Sequence, residues 1–264
     1  MFLHRFDHWL HNLPNFWLFS GISITLVAAV AIAPHVRRLV YRRELTPELS
    51  DGAADAFKAI VTFMVFLLAF SLVLVEGQFK AAEEIVTKEA NSINTLDRQL
   101  WRLAGADAVE SRRTLQDYAR SIVRDEWPAM AEAQRADETS RLLGQLYSSV
   151  LSIDTTSNRE QSVYHQALVH LDELSDLRGH RLESAEEGLG NLYWGTVAGL
   201  VVLLVILAAL AQATPQRAFG LGGLMCAAAL MVSLVVILNK PYTGETVVSP
   251  APIDRATRAM GART

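Results

Sequence analysis

The chain has 264 residues, and 51% of them are hydrophobic, a share too high for a disordered chain and high for a soluble one. The net charge of -4 is unevenly distributed, since residues 79–192 hold 20 acidic and 13 basic residues. Phosphate contacts need clustered lysine and arginine, so this acidic middle argues against nucleic acid as a partner. The single cysteine, Cys226, excludes an intrachain disulfide.

Residues 1–15 predict an interfacial amphipathic segment. If this stretch is helical, its aromatic residues face lipid, and His4, His8 and His11 share one face at the level of the headgroups. Imidazoles at this spacing can also bind zinc or sense pH, so these histidines are the candidate metal ligands of the chain. We favour the anchoring role, and no metal site or cofactor is predicted.

Four apolar runs reach the roughly 17 to 25 residues that a helix needs to cross the hydrocarbon core of a bilayer. None of them contains a charged residue. They predict two transmembrane hairpins, over residues 16–78 and 193–238. The spans are Phe16 to Ala33 (closed by Pro34), Ala59 to Val75, Tyr193 to Ala213, and Ala218 to Leu238.

The arginines near the span ends predict the orientation. Four of them lie between the first two spans, and Arg5 alone precedes the first; they are Arg37, Arg38, Arg42 and Arg43. Cytoplasmic loops carry the excess of lysine and arginine, so this connection is predicted to lie inside. Both termini and the middle of the chain would then lie outside.

Between the hairpins, residues 79–192 predict a helical soluble domain that is continuous with the spans. Apolar residues recur at three- and four-residue steps from Val86 to Leu103, so the second span should continue as one helix that ends near Gly105. The pattern predicts further helices up to the third span, which the last of them should enter without a break. The predicted fold is an all-α integral membrane protein with a helical bundle inserted between its second and third spans.

Residues 239–264 predict a different structure. Proline and glycine occur here at a density that argues against a helix, in Asn239-Lys240-Pro241-Tyr242-Thr243-Gly244 and at Pro250 and Pro252. We therefore predict an extended C-terminal tail, or a clip lying against another element.

Two residue sets within the spans are candidate functional sites. Phe63, Phe66 and Phe70 lie on one face of the second span and could line a hydrophobic neck, or could simply face lipid or pack. Small residues four apart could allow close helix packing in the last hairpin. They are Gly195, Gly199, Ala218 and Gly222.

Catalysis and coupled transport are not indicated. The sequence has no glycine-rich phosphate loop, no nucleophile elbow and no paired-cysteine motif, so an enzyme is not predicted. Adjacent acid pairs such as Asp125/Glu126 are interpreted as solvated residues or salt-bridge partners. Ion-coupled carriers usually place ionisable groups at the midplane of the membrane, and these spans have none.

Several sequence fragments together resemble the bacterial bestrophin-like membrane proteins. They cover about residues 55 to 252, and their order and spacing carry the resemblance. They are Leu67-Leu68-Ala69-Phe70, Glu89-Ala90, Leu96 to Leu100, Tyr118-Ala119, Glu126-Trp127-Pro128 and Asn239 to Gly244. Bestrophins are pentameric channels with four spans per subunit and a hydrophobic neck on the second span. The resemblance therefore implies a homo-oligomer in the bacterial inner membrane, with Phe63, Phe66 and Phe70 as neck residues.

Three functions remain open at this point. The first is a subunit of an oligomeric bestrophin-like ion channel. The second is a sensory or signalling membrane protein whose helices relay a stimulus to a partner. The third is an accessory subunit of a larger membrane complex. The lipid bilayer is a predicted partner in each case, and another membrane protein is a possible one.

Overall fold

The computed structural model describes residues 14–40, 46–103, 105–211 and 214–263. Within these ranges the chain is largely helical and contains no strand. A π-helical turn, Ile122–Glu126, lies between α3 and α4. The α-helices in chain order are α1 (Asn15–Val40), α2 (Pro47–Arg102), α3 (Ala106–Ser121), α4 (Trp127–Ala131), α5 (Asp137–Leu151), α6 (Asn158–Glu186), α7 (Asn191–Leu210), α8 (Pro215–Leu238) and α9 (Ala251–Gly261).

The chain divides into two compact units. Unit 1 comprises Met1–Gly77, Gly188–Lys240 and Gly244–Thr246, and unit 2 comprises Gln78–Glu187, Pro241–Thr243 and Val247–Thr264. Among the described residues, four helices are long and apolar enough to cross a membrane. Their ranges are Asn15–Leu39, Pro47–Arg102, the stretch Asn158–Leu210, which covers α6 and α7, and Gln216–Leu238. These ranges contain the first, second and fourth predicted spans, and the third predicted span as far as Leu210.

Unit 1 is built around an apolar core shared by its helices. α1 packs against α7 and α8, and the first part of α2 contributes buried residues to the same core. Phe57, Met64 and Leu68 of α2 are fully buried here. Other members of this core include Val30, Val197, Leu204, Ala208, Met225, Ala228 and Val235.

Unit 2 has its own core, which begins on the second part of α2. The predicted apolar stripe is buried there, and α3, α5 and α6 supply its partners. α2 runs without interruption to Arg102, as predicted, and Gly105 then adopts a φ of +115°, which favours glycine. Fully buried members include Ile93, Leu96, Leu100, Leu115, Leu146, Val150, Leu171 and Leu174.

Pro34 does not end the first helix, so that expectation is wrong. α1 passes through it and continues to Val40. A proline removes its own N–H and crowds the carbonyl four residues earlier, which a local bend can absorb. In an apolar environment the residues on both sides still gain most by keeping their helical hydrogen bonds, because unbonded backbone groups are costly in lipid.

The middle of the chain is more broken than predicted. α3 runs into the π turn before Pro128, and α5 begins only at Asp137, after a turn in which Ala133 has a φ of +53°. The helix before the third span also stops, at Glu186, instead of entering that span directly. The Asn239 side chain stabilises this break, because its Oδ1 accepts a hydrogen bond from the Leu189 N–H at 2.7 Å. Its Nδ2 also packs closely on Gly188, where the Cβ of any larger residue would lie only 3.2 Å from that nitrogen.

The C-terminal segment is only partly extended, so the predicted extended tail over residues 239–264 is corrected. Residues 239–250 are irregular, with Gly244 at a φ of +95°, but Ala251–Gly261 form α9. Pro250 and Pro252 start this helix instead of preventing it, because the first-turn N–H groups of a helix have no partner within the helix.

α9 is held in unit 2 by packing and by charge. Ile253, Ala256 and Met260 are buried in the core of this unit. The carboxylate of Asp97, which is excluded from solvent, accepts hydrogen bonds from Arg112 Nε at 2.9 Å and from Arg263 Nη1 at 2.6 Å. The second of these bonds ties the end of α9 to α2.

We expect Ser157→Ala to loosen the start of α6. The Ser157 Oγ accepts a hydrogen bond from the Glu160 N–H at 3.2 Å, while Glu160 Oε2 accepts one from the Ser157 N–H. Losing such a cap costs about 1 kcal/mol, so amide hydrogen exchange in the first turn of α6 should accelerate roughly fivefold. Ser152→Ala, an exposed serine that caps no N–H group here, is the matched control. Equal exchange in both variants would contradict the capping role.

Candidate functional site

The predicted neck residues lie on one exposed face of α2. The side chains of Phe63, Phe66 and Phe70 are 60%, 62% and 59% exposed in the single chain. The rings of Phe66 and Phe70 meet edge to face, with their centroids 4.9 Å apart. Val73 and Leu74 continue the exposed apolar surface along the helix.

The opposite face of the same helix is used for packing. Phe57, Met64 and Leu68 lie seven and four residues apart, which puts them on one side of the helix, and they are inaccessible to solvent in the core of unit 1. The 3.6-residue period of the helix therefore separates a buried stripe from an exposed aromatic stripe. An exposed apolar patch of this kind marks a surface that contacts lipid or another protein.

The aromatic face has a limited chemistry. Between Lys58 and Glu76 the chain contains no ionisable residue. Benzene rings cannot replace the hydration shell of an ion, but they can form an apolar constriction that wets and dewets. This surface can therefore restrict passage, and it cannot bind an ion through charged ligands.

The small residues predicted for helix packing do not meet one another in unit 1. A Cβ added at Gly195 or Gly199 would have no neighbour within 4 Å, and Ala218 is exposed. A Cβ at Gly222 would lie 3.9 Å from Val27 Cγ1, which belongs to α1. A role of these residues in helix packing stays a prediction.

The histidine site stays untested. His4, His8 and His11 lie outside the described residues. Among the residues that are described, no group of three or more His, Cys, Asp or Glu side chains could hold a metal ion.

Unit 2 contains a buried cluster of four charged residues that join three elements. Arg181 of α6 donates from Nε to Glu89 Oε2 of α2 at 2.6 Å and from Nη2 to Glu126 Oε2 at 2.7 Å. Arg178, one turn earlier on α6, donates from Nε to both oxygens of Glu126 at 3.0 and 3.1 Å. Two cations and two anions balance, and the side chains of Arg181, Glu89 and Glu126 are excluded from solvent.

The π turn before Pro128 positions Glu126. A proline cannot donate to the carbonyl four residues earlier and its ring crowds that group, and the wider π turn Ile122–Glu126 precedes it. Trp127, the next residue, lies under the guanidinium of Arg181, 5.4 Å from ring centroid to Cζ. Tyr242 packs edge-on against the same tryptophan and its hydroxyl lies 3.2 Å from Ser184 Oγ.

Sequence fragments that are far apart thus meet at this cluster. Glu89, Tyr118, Glu126, Trp127 and Tyr242 each come from a fragment that carries the family resemblance. A shared buried contact therefore links these fragments, and a solvated role for Glu126 is excluded because its side chain is fully buried.

The arginines fix the charge state of the cluster. Burial raises the pKa of Glu126, but hydrogen bonds and charge from Arg178 and Arg181 outweigh burial and hold that pKa below its ordinary value. Burial raises the pKa of the Tyr118 phenol well above its ordinary value, and the charge of Glu89 raises it further. At neutral pH Glu126 is therefore charged and Tyr118 is neutral. A buried cluster in which two cations face two anions suits a structural role better than proton transfer.

The two arginines were not among the predicted site residues. The sequence does contain a pattern that places them in the core, because Arg178 and Arg181 continue the three- and four-residue spacing of Leu171 and Leu174 along the apolar face of α6. A charge that continues a leucine stripe is buried with it, and a buried charge needs a partner. Two glutamates elsewhere in the unit supply those partners.

A family model and a solved structure are similar to the chain. A family model described as a Bestrophin-like domain matches residues 23–253. The crystal structure of a mutant bacterial bestrophin homologue from Klebsiella pneumoniae is similar, with a TM-score of 0.65 and 17% sequence identity over 92% of this chain and 95% of that chain. At this identity the structural likeness shows the fold alone. No curated protein matches the chain.

We expect Arg181→Met to destabilise unit 2 strongly. Removing the central cation leaves two buried carboxylates with one arginine, and breaking a buried pair in this way costs about 3 to 5 kcal/mol. The unfolding free energy of the purified protein measures this loss. Arg120→Met, which removes an exposed pair with Asp117, is the control and should cost less than about 1 kcal/mol. Adding Glu89→Gln to Arg181→Met should recover part of the loss. Equal costs for the two single variants would contradict the role of the cluster.

Acid should weaken the fold through Glu126. Its pKa is lower in the folded protein than the ordinary value of 4.5, so the unfolded chain takes up the proton first. The stabilisation by this charge is complete above about pH 4.5 and is lost as the pH falls through the folded-state pKa. Unfolding midpoints measured from about pH 6 to pH 3 should therefore fall less steeply for Glu126→Gln than for the unmodified protein. Glu132→Gln, at an exposed position, should keep the full slope; a shared slope in all three proteins would contradict this account.

Proposed function

We propose that this chain, which belongs to the bestrophin-like family, acts as one subunit of an oligomeric ion channel in a bacterial inner membrane. Phe63, Phe66 and Phe70 form the neck of the pore in this proposal. The channel needs no catalytic residue and no cofactor, and its partners are the bilayer and further copies of the same chain.

The exposed aromatic stripe on α2 is the observation that carries the proposal. The buried face of this helix already packs in the core of unit 1, and the three phenylalanines take no part in that packing. They can therefore face an axis shared by several copies of the chain. A closed ring of copies repeats the same face around that axis. The rings would then form an apolar constriction that gates by wetting and dewetting.

The charge pattern of the spans supports a pore rather than a carrier. Residues 59–75 contain no acidic or basic side chain, and the other predicted spans are equally free of them. Coupled carriers use ionisable groups or broken helices near the midplane to bind their ion. A pore between subunits needs neither feature.

The proposed orientation follows from the arginines. Arg37 and Arg38, near the end of α1, lie on the connection between the first two spans and favour the cytoplasmic side for it. This orientation puts the helical segment 79–192 outside the cytoplasm. It is independent of the neck, because a pore along the second span would cross the membrane in either orientation.

Phe66→Ala should raise the ion flux of the protein in liposomes. Removing one ring per subunit widens the constriction and lowers its apolarity, so the closed state should wet more readily and the flux should rise several-fold. Phe219→Ala is the matched control, because Phe219 is an exposed phenylalanine on α8 outside the aromatic stripe. Fluorescence-based flux assays and single-channel recordings would both report the change.

The mass of the particle in lipid nanodiscs distinguishes the ways in which this proposal could fail. A ring of at least four subunits with unchanged flux in the Phe63, Phe66 and Phe70 alanine variants would refute the neck and keep the channel. A ring without any flux in the unmodified protein would refute the channel. A monomer or dimer would refute both, since no pore could form between the second spans.

A further inference from the structure

A groove lies in unit 1 between the first turns of α8 and the part of α2 that precedes the second predicted span. Its volume is about 500 Å³. The lining residues are charged at one end and apolar or small at the other, and they come from both helices. They are Asp51, Ala54, Asp55 and Lys58 of α2, and Gln216, Arg217, Gly220, Leu221 and Leu224 of α8.

The charged end contains two acids and two bases held as pairs. Lys58 Nζ lies 2.9 Å from Asp55 Oδ1, and both side chains are mostly exposed. Arg217 donates to Asp51 and, at 2.9 Å, to Ser50 Oγ. A lysine ammonium has three donors and a carboxylate about four acceptor positions, so these groups can bind a ligand without giving up their present bonds. The four charges sum to zero.

Two of these charges lie at the starts of predicted spans, which is the depth of the lipid headgroups. Lys58 directly precedes the predicted span 59–75, and Arg217 directly precedes the predicted span 218–238. Both spans start from the same side of the membrane, because one complete span, residues 193–213, separates the second crossing from the fourth. A basic residue at the first polar position of a span lies at the interface between hydrocarbon and headgroups.

The rest of the groove is lined by apolar or small residues, which suit contact with an acyl chain. Ala54 and Leu221 are buried and form its floor, and Leu224 is exposed one turn deeper in the span. Gly220 is exposed, and a Cβ added to it would meet nothing within 4 Å. The missing side chain leaves open space between the charged end and Leu224.

We propose that this groove binds a glycerophospholipid whose headgroup carries both a phosphate and a primary ammonium. The phosphate accepts hydrogen bonds from Arg217 and Lys58, and the ammonium donates to Asp55 and Asp51. A zwitterion matches the neutral sum of the four charges better than an anionic headgroup does. A quaternary ammonium has no N–H to donate, so the site distinguishes a primary amine from choline. One acyl chain lies over Gly220 and Leu224.

Native mass spectrometry of the purified full chain tests this assignment. Phosphatidylethanolamine, phosphatidylcholine and phosphatidylglycerol with identical acyl chains are added separately at equal concentration, and bound lipid is counted by mass. The ethanolamine lipid should be retained roughly tenfold better than the choline lipid, the ratio expected from one hydrogen bond to a charged group. Arg217→Gln should lower its retention by about the same factor.

Asp55→Asn provides the more specific readout. It removes one acceptor for the ammonium and leaves the groove with a net positive charge, so the preference should move from phosphatidylethanolamine to phosphatidylglycerol. Arg38→Gln, an exposed basic residue on the connection after the first span, is the control and should change neither preference. This change of preference does not depend on whether the chain conducts ions.

Three results would overturn the proposal. The first is equal retention of the ethanolamine and choline lipids by the unmodified protein. The second is an unchanged lipid preference in Asp55→Asn, a conservative exposed substitution that keeps the test available if Arg217→Gln does not fold. The third is a change of oligomeric mass in these variants without a change of lipid preference, which would identify the groove as a contact between copies of the chain.

Discussion

The balance of charge around Arg181 is the constraint on which unit 2 depends. A guanidinium that is excluded from water has to be matched by anions, and Glu89 and Glu126 supply them from two other elements. Because both carboxylates bind the same guanidinium, this match restrains α2, the π turn and α6 relative to one another. Trp127 and Tyr242 then complete the cluster with aromatic contacts. Leucine packing alone would tolerate a small shift of one helix along another. Paired charges in a dry interior do not, because the shift would leave a buried charge without its partner.

The first part of α2 obeys a different rule. Here no charged side chain of the helix is buried, and the 3.6-residue period decides which aromatic residue is buried. Phe57 falls on the packing side and is fully buried, whereas Phe66 falls on the other side and is mostly exposed. A helix with such an exposed apolar face is not stable in water, so lipid or further copies of the chain must cover that face. This explains why the same residue type serves the core at one position and a candidate pore at another.

Much of the architecture followed from the sequence, because helix period and span length are local properties. The candidate membrane helices and the uninterrupted α2 each depend on residues close together in the chain. The errors came from residues that act over distance or at a helix end. The break before α7 depends on Asn239, some fifty residues away, and Pro252 starts a helix because of where it falls within the first turn. The ion cluster joins residues up to 92 positions apart, and no local pattern assigns their partners. The neck, the packing role of the glycines and the orientation remain predictions.

The bond between Asp97 and Arg263 has a consequence for the order in which the protein is made. The two residues are 166 positions apart, and the intervening chain includes two predicted spans. At roughly 5 to 20 residues per second, synthesis of this interval takes on the order of ten to thirty seconds. During that time Arg263 is not yet available to donate to Asp97, so Arg112 is its remaining arginine partner in this cluster. The part of the core that later contains Ile253 and Met260 is not yet filled. The last predicted hairpin is therefore synthesised before unit 2 can close, so the helical domain matures only after that part of the chain has been made.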